Sequence, residues 1–326
     1  MMKKIVFITT GGTISMKYAH ESGGVVPSLF GKQLLDSIRF ENKEDLAIEV
    51  NDFCHVGGGE LTPSIYLELS NLIKRYLARE DKPDGFVISQ GTDTMEETSF
   101  LLDLLLDIPE PVVITGSMRN ASEMSYDGTV NLYHSIQVAG SAKAMNKGVM
   151  VCMNNNIYAA MDVQKTHAFN VASIAAPGRG PIGSILGDRM IFYYQPLLRQ
   201  HCEPEHLNHN VFIVKTGIGE LPLPSVLPDY DGFVIEGTGL GNGQAWMEPW
   251  IKEQLAQKKP VIITTRCAEG WVDSMYAYPG SIGRLLEAGV IPGHGVNGVK
   301  ARIKLIAALG SKMTNKEIKS FFEWDL

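Results

Sequence analysis

Three short stretches set hydroxyl, carboxylate and amine side chains at the ends of apolar runs: "ITTGGTIS" (Ile8–Ser15), "SQGTDTMEE" (Ser89–Glu97) and "MDVQKTH" (Met161–His167). Thr13 follows two glycines, Thr92 stands beside Asp93, and Lys165 sits in the third. A threonine hydroxyl is a weak nucleophile until a base, a neighbouring charge or positioning activates it. A lysine against an apolar wall gives up its proton more readily, and an adjacent carboxylate orients it or holds a substrate ammonium. Glycines at 11 and 12 let backbone N–H groups approach an oxyanion. Plainer roles fit the same residues. Hydroxyls after a strand bond local backbone in tight turns, Asp93 suits the first turn of a helix, and Lys165 suits a solvated surface.

Whether these groups meet depends on the elements that carry them. Seven runs rich in β-branched residues read as buried parallel strands: "KIVFITT", "GFVISQG", "PVVITGS", "GVMVCM", "VFIVKTG", "GFVIEGTG" and "PVIITT". Helical periods lie between many of them. "TPSIYLELSNLIKRYL" puts Thr62 at the N-cap and Pro63 at the first helical position, with Ile65, Leu69, Leu72, Ile73 and Tyr76 on one face. "TDTMEETSFLLDLLL" offers Thr94 and Glu97 as a capping box. Strands alternating with helices give an α/β fold with mostly parallel sheets.

An internal echo divides the chain. "PDGFVISQGTDT", a helix and "PVVITGS" reappear as "YDGFVIEGTGLG", a helix and "PVIITTR". Each is a strand–turn–helix–strand unit, so the expected organisation is two α/β domains. A larger N-terminal one covers residues 1–192 and a smaller C-terminal one 211–326, joined by the irregular linker 193–210. The smaller domain closes with a helix ended by Gly289 and a last helix capped near Thr314. Ligands of parallel sheets collect beyond the carboxyl ends of the strands. "GGTIS" and "GTDT" both lie at such ends.

Bulk composition narrows the function. The chain has 326 residues, 44% hydrophobic and 20% charged, with a formal net charge of -7. That balance opposes a nucleic-acid surface, which needs clustered Lys and Arg. Small polar partners suit it better. Cys54, Cys152, Cys202 and Cys267 lie far apart without a CxxC pair and read as reduced, buried thiols with no metal framework. "MMKKIVFITTGG" has an apolar run too short for a secretory leader. No run nears the ~20 residues of a membrane span, so a cytoplasmic protein is expected. Walker, zinc and nucleophile-elbow motifs are absent from the sequence. "GTGLGNG" puts Asn242 where a dinucleotide fingerprint wants Gly or Ala.

"TTGGTIS" together with "SQGTDTMEETSFLL" resembles the two signature motifs of the bacterial-type L-asparaginases, cytoplasmic type I-like. "PVVITGSMRNASEMSYDGTVNLYHSI" (Pro111–Ile136), "DVQKTHAFNVASI", "GFVIEGTGLGNG" and "EAGVIPG" are similar to further stretches of that family, in the same order. The resemblance implies an amidohydrolase releasing ammonia from L-asparagine or a related amino-acid amide. Thr13 would form the acyl-enzyme, and Thr92, Asp93 and Lys165 would form a second hydroxyl–acid–amine group. Gly12, Gly58, Gly59, Thr92, Asp93 and Ser117 would contact substrate, with backbone N–H groups near Thr92 and Ser117 as oxyanion donors. It also implies no metal or organic cofactor and a homotetramer built of dimers. A neighbouring subunit would complete the site through Asn242, Gln244 or Glu269.

Three stretches depart from the family pattern. "HVGGGELTP" has Gly58 and Gly59 where the family places polar side chains for the substrate α-carboxylate. Two lost donors cost about 1–3 kcal/mol each if nothing replaces them. The glycines either offer backbone N–H groups or make room for a larger substrate. The nearest tyrosine after Thr13 is Tyr18, the candidate lid residue, and Asn120 stands where the family has proline after "MR". The alternative function is a catalytically weak amino-acid-binding or sensor protein on the same fold.

Overall fold

The structure, a computed structural model, describes residues 2–21, 23–40, 45–197, 199–219 and 229–323. The chain forms two compact units, Met1–His201 and Cys202–Leu326.

The first unit opens with β1 (Lys3–Gly11), the hairpin β2 (Met16–Ala19) and β3 (Gly24–Pro27), and α1 (Gly31–Asp36). Next come β4 (Leu46–Val56), α2 (Pro63–Leu77), β5 (Gly85–Ser89), α3 (Met95–Leu105), β6 (Val112–Thr115) and α4 (Gly128–Ala139). β7 (Val149–Met153) and β8 (Asn156–Ala159) follow, then the short pair β9 (Gln164–Lys165) and β10 (Ile174–Ala175). β11 (Gly183–Leu186) and β12 (Arg189–Phe192) finish the unit. Its main sheet has the order β12-β11-β8-β7-β6-β5-β1-β4. From β4 to β7 the pairs are parallel; β8, β11 and β12 extend the sheet antiparallel.

Within the parallel block, β1 lies between β4 and β5, so the chain places its second strand on one side of the first and its third on the other. Such a reversal opens a crevice beyond the strand ends, here between β1 and β5. β1 is buried on both faces, as a central parallel strand must be. Ile5 and Phe7 join Val87, Val113, Leu132 and Ile136 in one core cluster, and Val6 and Ile8 are buried on the other face. α4 packs on β5, β6 and β7, while α3 packs on β7 and α2.

Two local expectations change. The buried face of α2 centres on Tyr66, Leu69, Ser70, Ile73 and Tyr76, leaving Ile65 and Leu72 half-buried. The helix is rolled so that the Tyr66 hydroxyl reaches Gln90 Oε1 at 3.3 Å. The Thr94–Glu97 capping box does not form, since Thr94 Oγ1 makes no cap hydrogen bond and lies buried without a partner. Thr94 has φ -112° and ψ 13°, away from the extended backbone of a normal N-cap.

The second unit carries β13 (Val211–Lys215), β14 (Gly232–Gly237), α5 (Met247–Ala256), β15 (Val261–Thr265), α6 (Ile282–Glu287), β16 (Ile291–Pro292), α7 (Gly298–Gly310) and α8 (Asn315–Phe322). Its four strands pair in parallel in chain order. Phe233, Ile235, Ile251, Ile263 and Leu285 belong to a core of its own. The Thr314 hydroxyl accepts from Glu317 N, and Glu317 answers with a bond from Thr314 N at 2.7 Å, a complete capping box for α8. Among the described residues no helix is long and apolar enough to cross a membrane.

Candidate active site

The opening stretch holds four hydroxyls, and the structure separates their roles. Thr9 Oγ1 donates to Asp52 Oδ1 at 2.7 Å, and Thr10 Oγ1 donates to Ser89 O at 3.0 Å. Ser15 Oγ donates to Gly12 O at 2.9 Å, alongside its own N–H at 3.0 Å. Those three hold strands and a turn together. The Thr13 hydroxyl has no hydrogen-bond partner among the described residues, and its side chain is half-buried. It opens a single 3-10 turn, Thr13–Ser15, directly beyond β1.

Glycine at position 12 is obligatory. Its φ is 81°, the left-handed region L side chains avoid. A Cβ there would also overlap the backbone of Gly91 and the carbonyl carbon of Gln90. The turn after β1 therefore lies backbone against backbone on the turn after β5, which carries Thr92 and Asp93. A third turn joins them after β6. A Cβ on Gly116 would sit 2.6 Å from Gln90 O and 3.2 Å from the Thr92 methyl.

Lys165 closes the constellation. Its Nζ donates to Thr92 Oγ1 at 3.0 Å and to Asp93 Oδ1 at 2.5 Å. β9 delivers it, with Lys165 registered opposite Ile174 of β10. The side chains of Lys165 and Asp93 are 14% and 79% exposed, so the amine is enclosed and the carboxylate faces solvent. Thr92 is buried. A charge-assisted bond between an enclosed amine and an open carboxylate fixes the amine while leaving carboxylate oxygen available to a ligand.

The other predicted residues have distinct surroundings. Ser117 is fully buried, and its hydroxyl donates to Arg119 O at 2.7 Å, so the side chain serves the turn after β6. Tyr18 lies on β2, half exposed, with its ring edge-on to His20 at 5.1 Å. Gly58 and Gly59 lie in the turn after β4, whose end pairs with β1 through Gly11 and Val56. In the second unit Asn242 is buried and accepts from Ile282 N at 3.1 Å. Gln244 bonds Gly217 O, Gly219 O and Trp246 Nε1. Glu269 is exposed. All four cysteines are free; Cys152 and Cys202 are buried and Cys54 half-buried, but Cys267 is exposed, against expectation, beyond the end of β15.

Three supporting residues carried no role in the sequence reading. Gln90 is buried; its Nε2 donates to Thr98 Oγ1 at 2.6 Å and its backbone N donates to Thr115 O at 2.9 Å. Tyr126 donates to Ile14 O at 2.6 Å, tying the turn of Thr13 to the loop after β6. Burial holds the Tyr126 hydroxyl well above its usual range, which keeps it a donor. Asn131 on α4 donates to Gly116 O at 3.0 Å and accepts from Asn154 N at 3.0 Å. Their signal in the sequence is weak, because each acts through backbone groups that any residue supplies.

Residues 4–198 match the family described as "Asparaginase, N-terminal", and residues 212–322 match the "Glutaminase/Asparaginase C-terminal domain". The L-asparaginase of Bacillus licheniformis is 33% identical over 314 residues, 95% of this chain and 97% of that protein. A glutaminase-asparaginase of Acinetobacter glutaminasificans is 29% identical, covering 98% of each chain. The crystal structure of a probable cytoplasmic L-asparaginase from Campylobacter jejuni superimposes with a TM-score of 0.83 at 27% identity, covering 98% of this chain and 99% of that one. Two matched domains in order and full-length relatives on both sides settle the classification: this chain belongs to the asparaginase family of amidohydrolases.

Proposed function

We propose that the protein hydrolyses the side-chain amide of L-asparagine, or of a closely related amino-acid amide, through an acyl-enzyme on Thr13. One observation carries the reading. The Gly12–Gly91 backbone contact brings the one unengaged hydroxyl of the opening stretch to the turn that bears Thr92 and Asp93, to which Lys165 is bonded. Thr13 Oγ1 attacks the amide carbon, the C–N bond breaks, and nitrogen leaves as ammonia. Water then cleaves the ester and restores Thr13. Lys165 and Thr92 move protons during these steps, Asp93 orients Lys165 and holds the substrate ammonium, and backbone N–H groups beside Thr92 and Ser117 stabilise the oxyanion.

Relatives named L-asparaginase and glutaminase-asparaginase support the amide class. A homotetramer assembled from dimers and a cytoplasmic location belong to the same proposal, the latter supported by the name of the Campylobacter jejuni protein. A second reading, an amino-acid-binding protein with little turnover, draws on the side-chain-free turn at Gly58 and Gly59. Ammonia release from L-Asn, D-Asn and L-Gln, measured beside Thr13→Ala, decides between them. The expected result is turnover that falls by at least about a thousandfold in the variant. Full activity in Thr13→Ala removes the acyl-enzyme, and stoichiometric binding without ammonia favours the second reading.

A further inference from the structure

The strand order β4-β1-β5 sets the two flanks of the site apart. Thr92, Asp93 and Lys165 stand on the β5 side of Thr13. On the β4 side, one residue beyond the Gly11–Val56 pair, the chain runs through Gly57, Gly58 and Gly59. That flank presents no side chain until Glu60, and Glu60 is turned back on its own loop, its Oε2 accepting from Gly57 N at 3.0 Å. A Cβ on Gly59 would meet nothing within 4 Å. The sequence from Asp52 to Ile65 contains no Lys or Arg. Between Val56 and Glu60 the donors this turn offers are neutral backbone amides, which can bond the oxygen of a peptide carbonyl as well as that of a carboxylate and do not demand the charge.

A substrate whose ammonium meets Asp93 and whose amide carbon meets Thr13 has its remaining α-substituent toward β4. We infer that this flank admits asparagine extended at its α-carboxyl, so that asparaginyl peptides with a free N-terminus are substrates alongside the free amino acid. The inference rests on the amide-hydrolase reading above. The reaction is the same: Thr13 Oγ1 adds to the side-chain carbonyl carbon, the C–N bond breaks and ammonia leaves, and water then cleaves the ester while the peptide bond stays intact. L-asparaginyl-glycine therefore yields L-aspartyl-glycine.

The test compares L-asparagine with L-asparaginyl-glycine on purified full-length enzyme, following ammonia and identifying aspartyl-glycine by mass spectrometry. The expected kcat/KM for the dipeptide lies within about tenfold of that for L-asparagine. Gly59→Gln, which places a side chain in open space at an ordinary φ, is expected to lower the dipeptide-to-asparagine ratio by at least about fivefold. Gly59→Ala is expected to hold the ratio. Turnover of L-asparagine with a dipeptide more than about tenfold worse, or a ratio unmoved by Gly59→Gln, overturns the inference and leaves amide hydrolysis standing. Ammonia from neither substrate overturns both.

Discussion

At the scale of single residues, Lys165 is the most exacting part of the site. It touches a hydroxyl and a carboxylate at once, at 3.0 and 2.5 Å, from an enclosed position. Lys165→Met keeps the length and apolar stem but removes every donor. Under the proposed mechanism it takes away proton transfer at Thr92, an effect of about 10²–10⁴ on kcat. KM is expected to change far less, because Asp93 remains in place to hold an ammonium. A variant that raises KM while sparing kcat would make Lys165 a binding residue only. The hydroxyl, acid and amine were visible in the sequence because few residue types do such chemistry. The sequence singles out Thr13 by its two preceding glycines and by resemblance, but it gives no physical reason against Thr9, Thr10 and Ser15. That distinction comes from partners far along the chain, such as Asp52 and Ser89, which satisfy two of the other hydroxyls.

At the scale of elements, the site is made by turns rather than by the strands beneath them. Gly12→Ala tests this directly. The new methyl has nowhere to go but into Gly91 and Gln90, and the residue must also keep φ near 81°. The expected outcome is a folded protein with the turn of Thr13 displaced and activity down by at least about a hundredfold, since a misplacement of about 1 Å costs that much. Circular dichroism unchanged with activity intact would show that the two turns need not touch. The seven apolar runs all appear as strands; six are buried on both faces, which leaves continuous Val and Ile, while β13 is an edge strand with Phe212 and Ile213 half-buried. β4, eleven residues long, is not among those runs. It is an edge strand of the sheet with no fully buried residue, and Glu49, Asn51 and Asp52 interrupt its apolar pattern. The antiparallel additions β8, β11 and β12 are short and defined by pairing, which composition does not encode. The internal echo reads correctly as β5–α3–β6 and β14–α5–β15.

At the scale of the whole molecule, stability should depend on pH in a direction set by buried titratable groups. Burial in the second unit pushes Lys304 on α7 down from 10.5 to about 7. That difference corresponds to roughly 5 kcal/mol against the ammonium. The faces of Phe321 and Phe322, 4.7 and 4.9 Å from its Nζ, favour the ammonium by about 2 kcal/mol each in such a dry setting, and Cys202 favours it too, but burial is the largest influence and sets the downward direction. A depressed value means the folded state binds the proton less well than the unfolded chain. The stability is full above pH 10.5 and declines as pH falls toward about 7. Burial lowers His134 and His294 as well, adding loss below 6.5. Cys152 moves the opposite way, from 9.0 to about 12, and Tyr66 and Tyr126 are raised by burial too. Their stabilisation holds below the unfolded values of 9.0 and 10.0 and is lost as pH rises through the folded ones. The two limbs place the maximum of Tm on the alkaline side of neutrality, near pH 9. Lys304→Met, close in volume and free of charge, removes the larger part of the acid limb. Calorimetry should show it raising Tm more at pH 6.5 than at pH 9.5, with the maximum moving toward neutrality. An equal gain at both pH values would mean that Lys304 keeps its proton in the folded protein.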